Sequence, residues 1–220
     1  MEPLSGYTDR RILRGSMADA LRLRDEIINS GIVLDAEGTH HEFVSGMHGQ
    51  KLDFDNIETG STLYNLWTET SADFIREEFP RLPEIIIGVA NGTNRTALDA
   101  ARRFEGEAIG LTTWKDEDRN IFLTDIAGKV ISSIRPELVV VLEDVGTRGT
   151  NSVQAAVGCR DAGAKSVEVV TTWKRRDKLE RLDEEGIPYR AIIDEPLPTY
   201  TPQDCQDHGF CSQGWKFIER

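Results

Sequence analysis

Short apolar runs alternate with amphipathic stretches from residue 85 onward, and this alternation constrains the fold more than any other feature of the sequence. The strongest runs are residues 85–90 and 138–142. Apolar strands separated by helices are typical of a mostly parallel sheet that helices cover on both faces. The sequence therefore predicts an α/β fold. The predicted strands are 85–90, 107–113, 120–123, 137–142, 166–172 and 189–193, and the predicted helices between them are 93–104, 150–162 and 176–185.

The residues before this alternation have a different pattern. Residues 8–30 carry apolar positions among many charges, which predicts one or two amphipathic helices. Residues 61–79 predict a further helix that Pro80 ends. Residues 32–55 predict a small β element outside the main sheet, because polar and apolar residues alternate over 50–55.

The chain length of 220 residues fits a single domain over 1–220. We expect a core over about 60–194, and a small hood formed by about 32–56 together with the tail 195–220. Ligands of open parallel sheets bind beyond the carboxyl ends of the strands. The loops that follow the predicted strands are therefore the place to look for chemistry.

The charge balance excludes several kinds of partner. Asp and Glu outnumber Lys and Arg by 38 to 26, for a net charge of −12, so a nucleic-acid or anionic-membrane surface is not expected. The apolar runs fall short of the ~20 residues that a membrane span needs. The N-terminus lacks the basic-then-apolar pattern of a signal peptide, which favours the cytoplasm. Three cysteines do not make a disulfide framework.

The loop after strand 137–142 carries the most informative motif. Two adjacent acids, Glu143 and Asp144, end the apolar strand, and a turn rich in Gly and Thr then opens a helix. Backbone N–H groups and a helix N-terminus can hold a phosphate, whereas the acids would repel it and suit sugar hydroxyls or Mg2+. The motif therefore predicts a sugar-phosphate site. The residues after the acids are Val145, Gly146, Thr147, Arg148, Gly149, Thr150 and Asn151.

Two other interpretations of this loop stay open. The acids could cap a helix, with Gly and Thr forming an ordinary turn. A methyltransferase also has a Gly-rich loop, but there it follows the first strand. Here the loop follows a late strand and the acids precede the glycines. The methyltransferase is therefore a weaker interpretation than the sugar-phosphate site.

The order of strand, acid pair and Thr/Gly loop resembles the binding signature of type I phosphoribosyltransferases. The resemblance implies that Glu143 and Asp144 contact the ribose 2′ and 3′ hydroxyls of phosphoribosyl pyrophosphate (PRPP) and also offer ligands for Mg2+. It places the 5′-phosphate on residues 147–151. Gly146 stands where the family has an aliphatic residue, and Arg148 where it has a second Thr or Ser.

The loop after strand 85–90 is similar to the pyrophosphate loop of the same family. The resemblance implies that Asn91, Gly92 and Thr93 bind PRPP through the loop, with Arg95 adding positive charge. Gly is suited to an unusual backbone conformation at such a turn. The alternative is a plain strand–turn–helix connection in which Asn94 is the N-cap.

Residues 43–54 resemble the N-terminal hood of orotate phosphoribosyltransferases, and residues 198–205 resemble the tail of some members. The resemblance implies a base site formed by Ser45, Gly46 and Phe54, with Arg175 near the base. Val44 stands where orotate enzymes often have a Lys that contacts the base. The alternative for Arg175 is a basic start to helix 176–185 or a solvated face.

The segment after strand 107–113 departs most from the family. Orotate enzymes carry a flexible basic loop here, whereas this sequence has the short, acidic segment 115–119. Lys115 and Arg119 are the candidates for stabilising pyrophosphate, and Asp144 for steadying the ribose. Two functions stay open: transfer of a phosphoribosyl group to a base, or a non-catalytic PRPP or nucleotide sensor. The family also implies a homodimer.

The tail offers soft metal ligands at intervals of three, in Cys205, His208 and Cys211. Structural zinc usually needs four ligands, so a fourth would have to come from Cys159 or from the histidines at 40, 41 and 48. The alternative, which we favour from the sequence, is that the tail packs without Zn2+.

Overall fold

The computed structural model describes residues 16–31, 38–43 and 46–218. The elements in chain order are α1 (Ser16–Ser30), β1 (Thr39–Glu42), β2 (His48–Gly49), a 3-10 helix (Phe54–Asn56), α2 (Thr62–Glu78), β3 (Ile85–Gly88), α3 (Asn94–Arg102), β4 (Ile109–Lys115), β5 (Ile121–Leu123), α4 (Asp125–Ile134), β6 (Val139–Gly146), α5 (Thr150–Asp161), β7 (Val167–Lys174), α6 (Glu180–Glu184), β8 (Tyr189–Asp194), β9 (Thr199–Tyr200), α7 (Pro202–His208) and β10 (Lys216–Ile218). No helix in these ranges combines the length and the apolar character of a membrane span.

The main sheet has six strands in the order β5-β4-β3-β6-β7-β8. All neighbours are parallel except β5, which runs antiparallel to β4. Successive residues of β3 point to opposite faces, so that Ile86 joins the core beneath α2 and α3 while Ile85 and Ile87 join the core beneath α4 and α5. Burial on both faces explains why β3 and the first four residues of β6 are apolar, and the predicted α/β fold is confirmed.

Three elements differ from the prediction. The sequence did not predict α4, in which only Ala127 and Ile131 are buried, because so few core positions leave a weak helical period. Strand β6 continues to Gly146, since its pairing with β7 extends that far, and the acid pair therefore lies within the strand. Helix 176–185 is wrong in length, because α6 occupies only Glu180–Glu184.

A second sheet of four short strands, in the order β10-β1-β2-β9, lies outside the main one. We call it the hood sheet. It joins residues 39–49 to residues 199–218 through pairs such as Thr39 with Lys216. The predicted strand over 50–55 is wrong: Phe54 begins the 3-10 helix, because its ring packs in the core with its centroid 4.8 Å from that of Trp67.

Helix α2 connects the two regions, and its bounds agree with the predicted helix 61–79. Ser61 caps it by accepting a hydrogen bond from the Tyr64 amide at 3.1 Å. Trp67 is buried on this helix and donates through Nε1 to Thr172 Oγ1 of β7, at 2.7 Å. The hydrogen bond satisfies the indole N–H inside the core and fixes the helix against the sheet.

Candidate functional site

The two loops that the sequence singles out meet at the carboxyl edge of the main sheet. They follow β3 and β6, which are adjacent and parallel, with Gly88 paired to Leu142. Gly92 of the first loop lies so close to Asp144 that a Cβ there would overlap Asp144 Oδ2 and approach Asp55 Oδ1 to 3.2 Å. A larger residue than Gly92 would therefore push the Asp144 carboxylate out of its present position.

Thr93 anchors the first loop from inside. Its hydroxyl accepts a hydrogen bond from the Val89 amide at 2.8 Å and donates to the Leu142 carbonyl at 2.6 Å. Only 1% of Thr93 is exposed, so its side chain supports the loop and is not presented to a ligand. The peptide bond between Ala90 and Asn91 is cis.

Two further residues, Thr113 and Asn94, complete this support. Thr113 Oγ1 accepts from the Ala90 amide at 2.8 Å and donates to the Gly88 carbonyl at 2.9 Å. Asn94 Nδ2 donates to the Thr113 carbonyl at 2.8 Å, and Asn94 Oδ1 accepts from its amide at 3.1 Å. The expectation that Asn94 is the N-cap is wrong, since Thr93 holds that position without a side-chain bond. The only signal in the sequence for this support was Thr113, a polar residue at the end of the predicted buried strand 107–113.

The exposed part of the first loop is its backbone. Within the described ranges, the amides of Asn91 and Gly92 donate no hydrogen bond. Arg95 points along α3, where its Nε lies 3.1 Å from Asp99 Oδ2. Asp99 also accepts from the Tyr64 hydroxyl at 2.7 Å. The loop thus offers unused N–H groups, while the charge of Arg95 is partly neutralised by Asp99.

The acid pair of β6 is the most unusual electrostatic feature of the structure. Glu143 is 5% exposed, and its Oε2 has no hydrogen-bond partner among the described residues. Burial, reinforced by the charge of Asp144, raises the pKa of Glu143 well above its usual value. Burial and the nearby carboxylate of Asp55 raise the pKa of Asp144 to about 6. A buried carboxyl group without a partner destabilises the fold unless a ligand donates a hydrogen bond to it or a cation neutralises its charge.

Asp55 extends this acidic cluster, and the sequence analysis did not assign it a role. It lies in the 3-10 helix and reaches the site because Phe54, its neighbour, is held in the core. The positive charge of Lys115, at the end of β4, acts on both Glu143 and Asp144 and lowers their pKa values in opposition to burial. Lys115 is therefore close to the acid pair.

The second loop leads directly into α5. Gly149 is the N-cap, with φ of 77°, and no side chain caps the helix. A Cβ on Gly149 would come within 2.8 Å of Leu182 Cγ, so both conformation and space require glycine there. Thr147, Arg148 and Thr150 are exposed around this turn. The first amides of α5 are therefore left open by the side chains of the loop, an arrangement that suits an anion.

The departure at Gly146 has a structural reason. Gly146 is the last residue of β6 and pairs with Lys174 of β7. A Cβ at this position would lie 3.0 Å from Thr171 Oγ1 and 3.1 Å from Leu179 Cδ1. These contacts are tight, so the aliphatic side chain that the related signature carries would require the side chains of Thr171 and Leu179 to shift.

The segment after β4 is a tight hairpin. Asp116 closes it by accepting hydrogen bonds from the Asn120 amide at 2.7 Å and from its side chain at 3.0 Å. Arg119 is exposed at the tip with φ of 69°. The rings of Trp114 and Phe122 stack across the hairpin with centroids 4.9 Å apart. These contacts hold the hairpin together, in place of the long flexible loop that orotate enzymes carry.

The residues expected to contact a base are placed differently from the prediction. Ser45 lies outside the described residues. Gly46 forms the turn between β1 and β2 with φ of 74°. Phe54 is 2% exposed in the core. Arg175 is buried, with its guanidinium 4.5 Å from the Phe43 ring centroid and a 3.0 Å hydrogen bond to the Gln50 carbonyl. Phe54 and Arg175 therefore support the hood in this structure.

The other cations at the carboxyl ends of the strands divide into two groups. Lys174 pairs with Asp194 at 2.7 Å, and Arg176 with Glu180 at 3.3 Å. In the part of the chain that the structure describes, no ion pair involves Lys115, Arg119 or Arg148. These three cations stand beside the acid pair, at the hairpin tip and in the second loop.

The fold has clear counterparts among solved structures. Neither a protein-family model nor a curated protein matches the sequence. The orotate phosphoribosyltransferase of Mycobacterium tuberculosis H37Rv, in complex with inorganic phosphate, is 16% identical with a TM-score of 0.56, over 86% of this chain and 94% of that one. The same enzyme in complex with PRPP is 17% identical with a TM-score of 0.53, over 86% and 95%.

A further structural neighbour is a larger protein, and it is similar to this chain over only part of its length. The UMP synthase of Leishmania donovani is 18% identical with a TM-score of 0.59, over 82% of this chain but only 37% of that protein. At these identities the likeness concerns the architecture, and it agrees with the order of strands and loops described above. The chain therefore has the type I phosphoribosyltransferase fold, with orotate phosphoribosyltransferases among its structural neighbours.

Proposed function

We propose that this protein binds PRPP together with Mg2+ and transfers its phosphoribosyl group to a nitrogenous base, releasing pyrophosphate. The observation that carries the proposal is the acid pair, the buried Glu143 and the half-buried Asp144, with the uncapped N-terminus of α5 a few residues further on. This combination suits a ligand with hydroxyls and a phosphate a few ångströms apart. A structural neighbour in complex with PRPP supports the choice of ligand.

Each chemical group of PRPP can be assigned to one set of residues at the carboxyl edge of the main sheet. Glu143 and Asp144 accept hydrogen bonds from the ribose hydroxyls, which compensates for the desolvation that raises their pKa values. The amides and hydroxyls of residues 147–151 hold the 5′-phosphate. The amides of Asn91 and Gly92 donate hydrogen bonds to the pyrophosphate. The Thr93 and Thr113 hydroxyls bond to the backbone behind this loop and keep it in position.

The residues present also fit Mg2+. Carboxylate oxygens are the ligands this ion prefers, and the unpartnered Glu143 Oε2, with Asp144 and Asp55 nearby, forms a cluster that a cation would stabilise. Glu143 and Asp144 would hold the ion together with oxygens of PRPP. When bound, Mg2+ neutralises charge on the pyrophosphate and so makes it a better leaving group.

The reaction requires little covalent chemistry from the protein. A ring nitrogen of the base forms a bond to C1′ as the bond from C1′ to the pyrophosphate oxygen breaks, and the pyrophosphate leaves with that electron pair. A base that attacks through an N–H group then loses the proton. Lys115 and Arg119 neutralise the departing charge, and Asp144 steadies the ribose as positive charge develops at C1′.

One observation favours a second candidate, a protein that binds PRPP or a nucleotide without catalysis. The hairpin over 116–120 is closed by Asp116, and only Lys115 and Arg119 supply positive charge there. A short, closed hairpin cannot fold over the reacting centre as a long loop can. Both candidates use the same PRPP site, which we call the PRPP cradle and which consists of residues 91–93 and 143–151. The two candidates differ only in whether a base attacks C1′.

Pyrophosphate release separates the two candidates. The protein is incubated with PRPP, Mg2+ and a panel of bases that includes orotate, other pyrimidines and purines, and pyrophosphate is measured over time. Release that depends on one base supports the transferase. Binding of PRPP by calorimetry without release for any base would leave only the sensor. A homodimer remains a prediction, which sedimentation of the purified protein tests.

The site assignment itself has its own test. Asp144→Ala is expected to weaken PRPP binding by at least about tenfold, because a charged hydrogen-bond acceptor contributes about 1.5–3 kcal/mol. Asp161→Ala, which changes an exposed acid at the end of α5, is the matched control and should bind normally. Unchanged affinity in Asp144→Ala would place the ligand elsewhere, whether or not the protein catalyses transfer.

A further inference from the structure

We propose that His40, His48, Cys205 and Cys211 bind one structural Zn2+ ion that fastens the hood. Each residue offers one ligand atom, and these four atoms all lie within 4.8 Å of one another. Two thiols and two imidazoles form one of the common ligand sets of structural zinc. The site is separate from the acid pair and involves no residue of the proposed PRPP cradle.

The distances are close to those of a tetrahedral site. His40 Nε2 lies 3.2 Å from Cys211 Sγ, and His48 Nδ1 lies 3.5 Å from the same sulfur. Zinc holds nitrogen at about 2.0 Å and sulfur at about 2.3 Å, so tetrahedral ligand atoms are roughly 3.3–3.8 Å apart. Small rotations of the side chains would bring all four ligands into that range.

The composition of the chain makes the cluster unusual. The sequence contains three cysteines and four histidines, and two of each meet here. They come from four places along the chain: β1, β2, α7 and the turn after α7. His40 and Cys205 are fully buried, and His48 is 8% exposed. Soft sulfur ligands together with imidazole favour Zn2+ over Mg2+, which prefers oxygen.

The ligand set differs from the one that sequence spacing indicated. His208 lies edge-on against Tyr200, with ring centroids 6.1 Å apart, and is not a member of the cluster. Cys159 is buried in the core beneath α5. The pairing of β1 with β2 supplies His40 and His48 instead. The histidines at 40, 41 and 48 were already candidates for a fourth ligand, and the folded chain brings two of them, His40 and His48, to the cysteines.

The surroundings suit a structural metal. The Cys211 amide donates to Cys205 Sγ at 3.2 Å, which stabilises negative charge on that sulfur. The ring of Phe217 packs against both imidazoles, with centroids 5.3 Å from His40 and 5.1 Å from His48. Four protein ligands inside an apolar shell leave no open position for substrate, which is typical of a structural site.

The ion would join two segments that have little else to hold them. The strands of the hood sheet are only two to four residues long, and sheets of this size bury little apolar surface. Zinc would link β1 and β2 to α7 directly. We therefore expect its loss to loosen the hood while the main sheet stays folded.

The test is the zinc content of the full chain, purified without chelators and measured by mass spectrometry. One zinc per chain is expected in the wild type, in Cys159→Ala and in His208→Ala. Cys211→Ser and His48→Ala should lose it. Hydrogen exchange is then compared with and without a chelator, and faster exchange is expected in residues 39–49 and 199–218 but not in β3 or β6.

A second measurement guards against variants that fail to fold. Metal-depleted wild-type protein is titrated with Co2+, and the absorption of tetrahedral cobalt–thiolate is expected to saturate at one equivalent. Wild-type protein that holds no zinc and gives no such absorption would overturn the proposal. So would equal zinc in wild type and Cys211→Ser, or an intact mass showing that Cys205 and Cys211 form a disulfide.

Discussion

The main sheet and the hood sheet are held together by different means. Strands β6 and β7 have eight residues each, and nearly all of their central side chains are buried. Strands β2 and β9 have two residues each. The main sheet is stabilised by apolar burial along its central strands β3, β6 and β7. The hood sheet depends on a few polar contacts, from Arg175 and from the cluster of His and Cys residues, so single side chains there should have local effects.

A change in the core beneath the main sheet should have the largest effect. Trp67→Ala removes a ring that is 1% exposed, its contact with Phe54 and its hydrogen bond to Thr172. We expect the free energy of unfolding to fall by about 3–5 kcal/mol in urea denaturation. Trp114→Ala, at a position 47% exposed, is the control and should change it by less than about 1 kcal/mol. Similar losses in both variants would contradict this account of the core.

A change at the junction should affect the hood alone. Arg175→Met keeps much of the volume but removes the contact with Phe43 and the hydrogen bond to the Gln50 carbonyl. An unsatisfied buried carbonyl costs about 1–3 kcal/mol. We expect faster hydrogen exchange in β1 and β2 but not in β6. Arg176→Met, which alters only an exposed ion pair, should leave both sheets unchanged. Faster exchange throughout the main sheet would show that the two regions unfold together.

The smallest expected effect is an increase in the free energy of unfolding when Glu143 of the acid pair is replaced by Gln. Glu143 has a raised pKa in the folded state, so its contribution to stability falls as the pH rises above the pKa of the unfolded chain. Glu143→Gln should therefore be more stable by about 1–2 kcal/mol at pH 7, with the gain disappearing in acid.

The same substitution should weaken PRPP binding. Glu107→Gln, at an exposed position, is the matched control for both measurements and should change neither. A Glu143→Gln variant that is less stable than the wild type at pH 7 would show that the carboxylate already has a partner in the free protein.

The sequence predicted the parts of the structure that depend on neighbouring residues. Strands β3 and β6 were found because each contains a single apolar run, and β7 because three of its first four residues are valine. The acid pair with its loop was found because residues 143–151 are consecutive. The supporting residues Asp55 and Thr113 were missed, since only the folded chain brings them to the loops. The histidines at 40 and 48 were candidates for a fourth zinc ligand, but only the folded chain shows that both of them, and not His208, lie beside Cys205 and Cys211.

The hood sheet has a consequence for the order of folding. Thr39 pairs with Lys216, so this contact joins segments separated by the whole main sheet. Contacts between distant segments form slowly, because the entropy of closing a long loop opposes them. During synthesis, β1 and β2 must wait for residues 199–218 to leave the ribosome, while strands β3 to β8 can already assemble. The loops after β3 and β6 are therefore in place before the hood, and a protein caught partway through folding already carries the residues that we propose to hold PRPP.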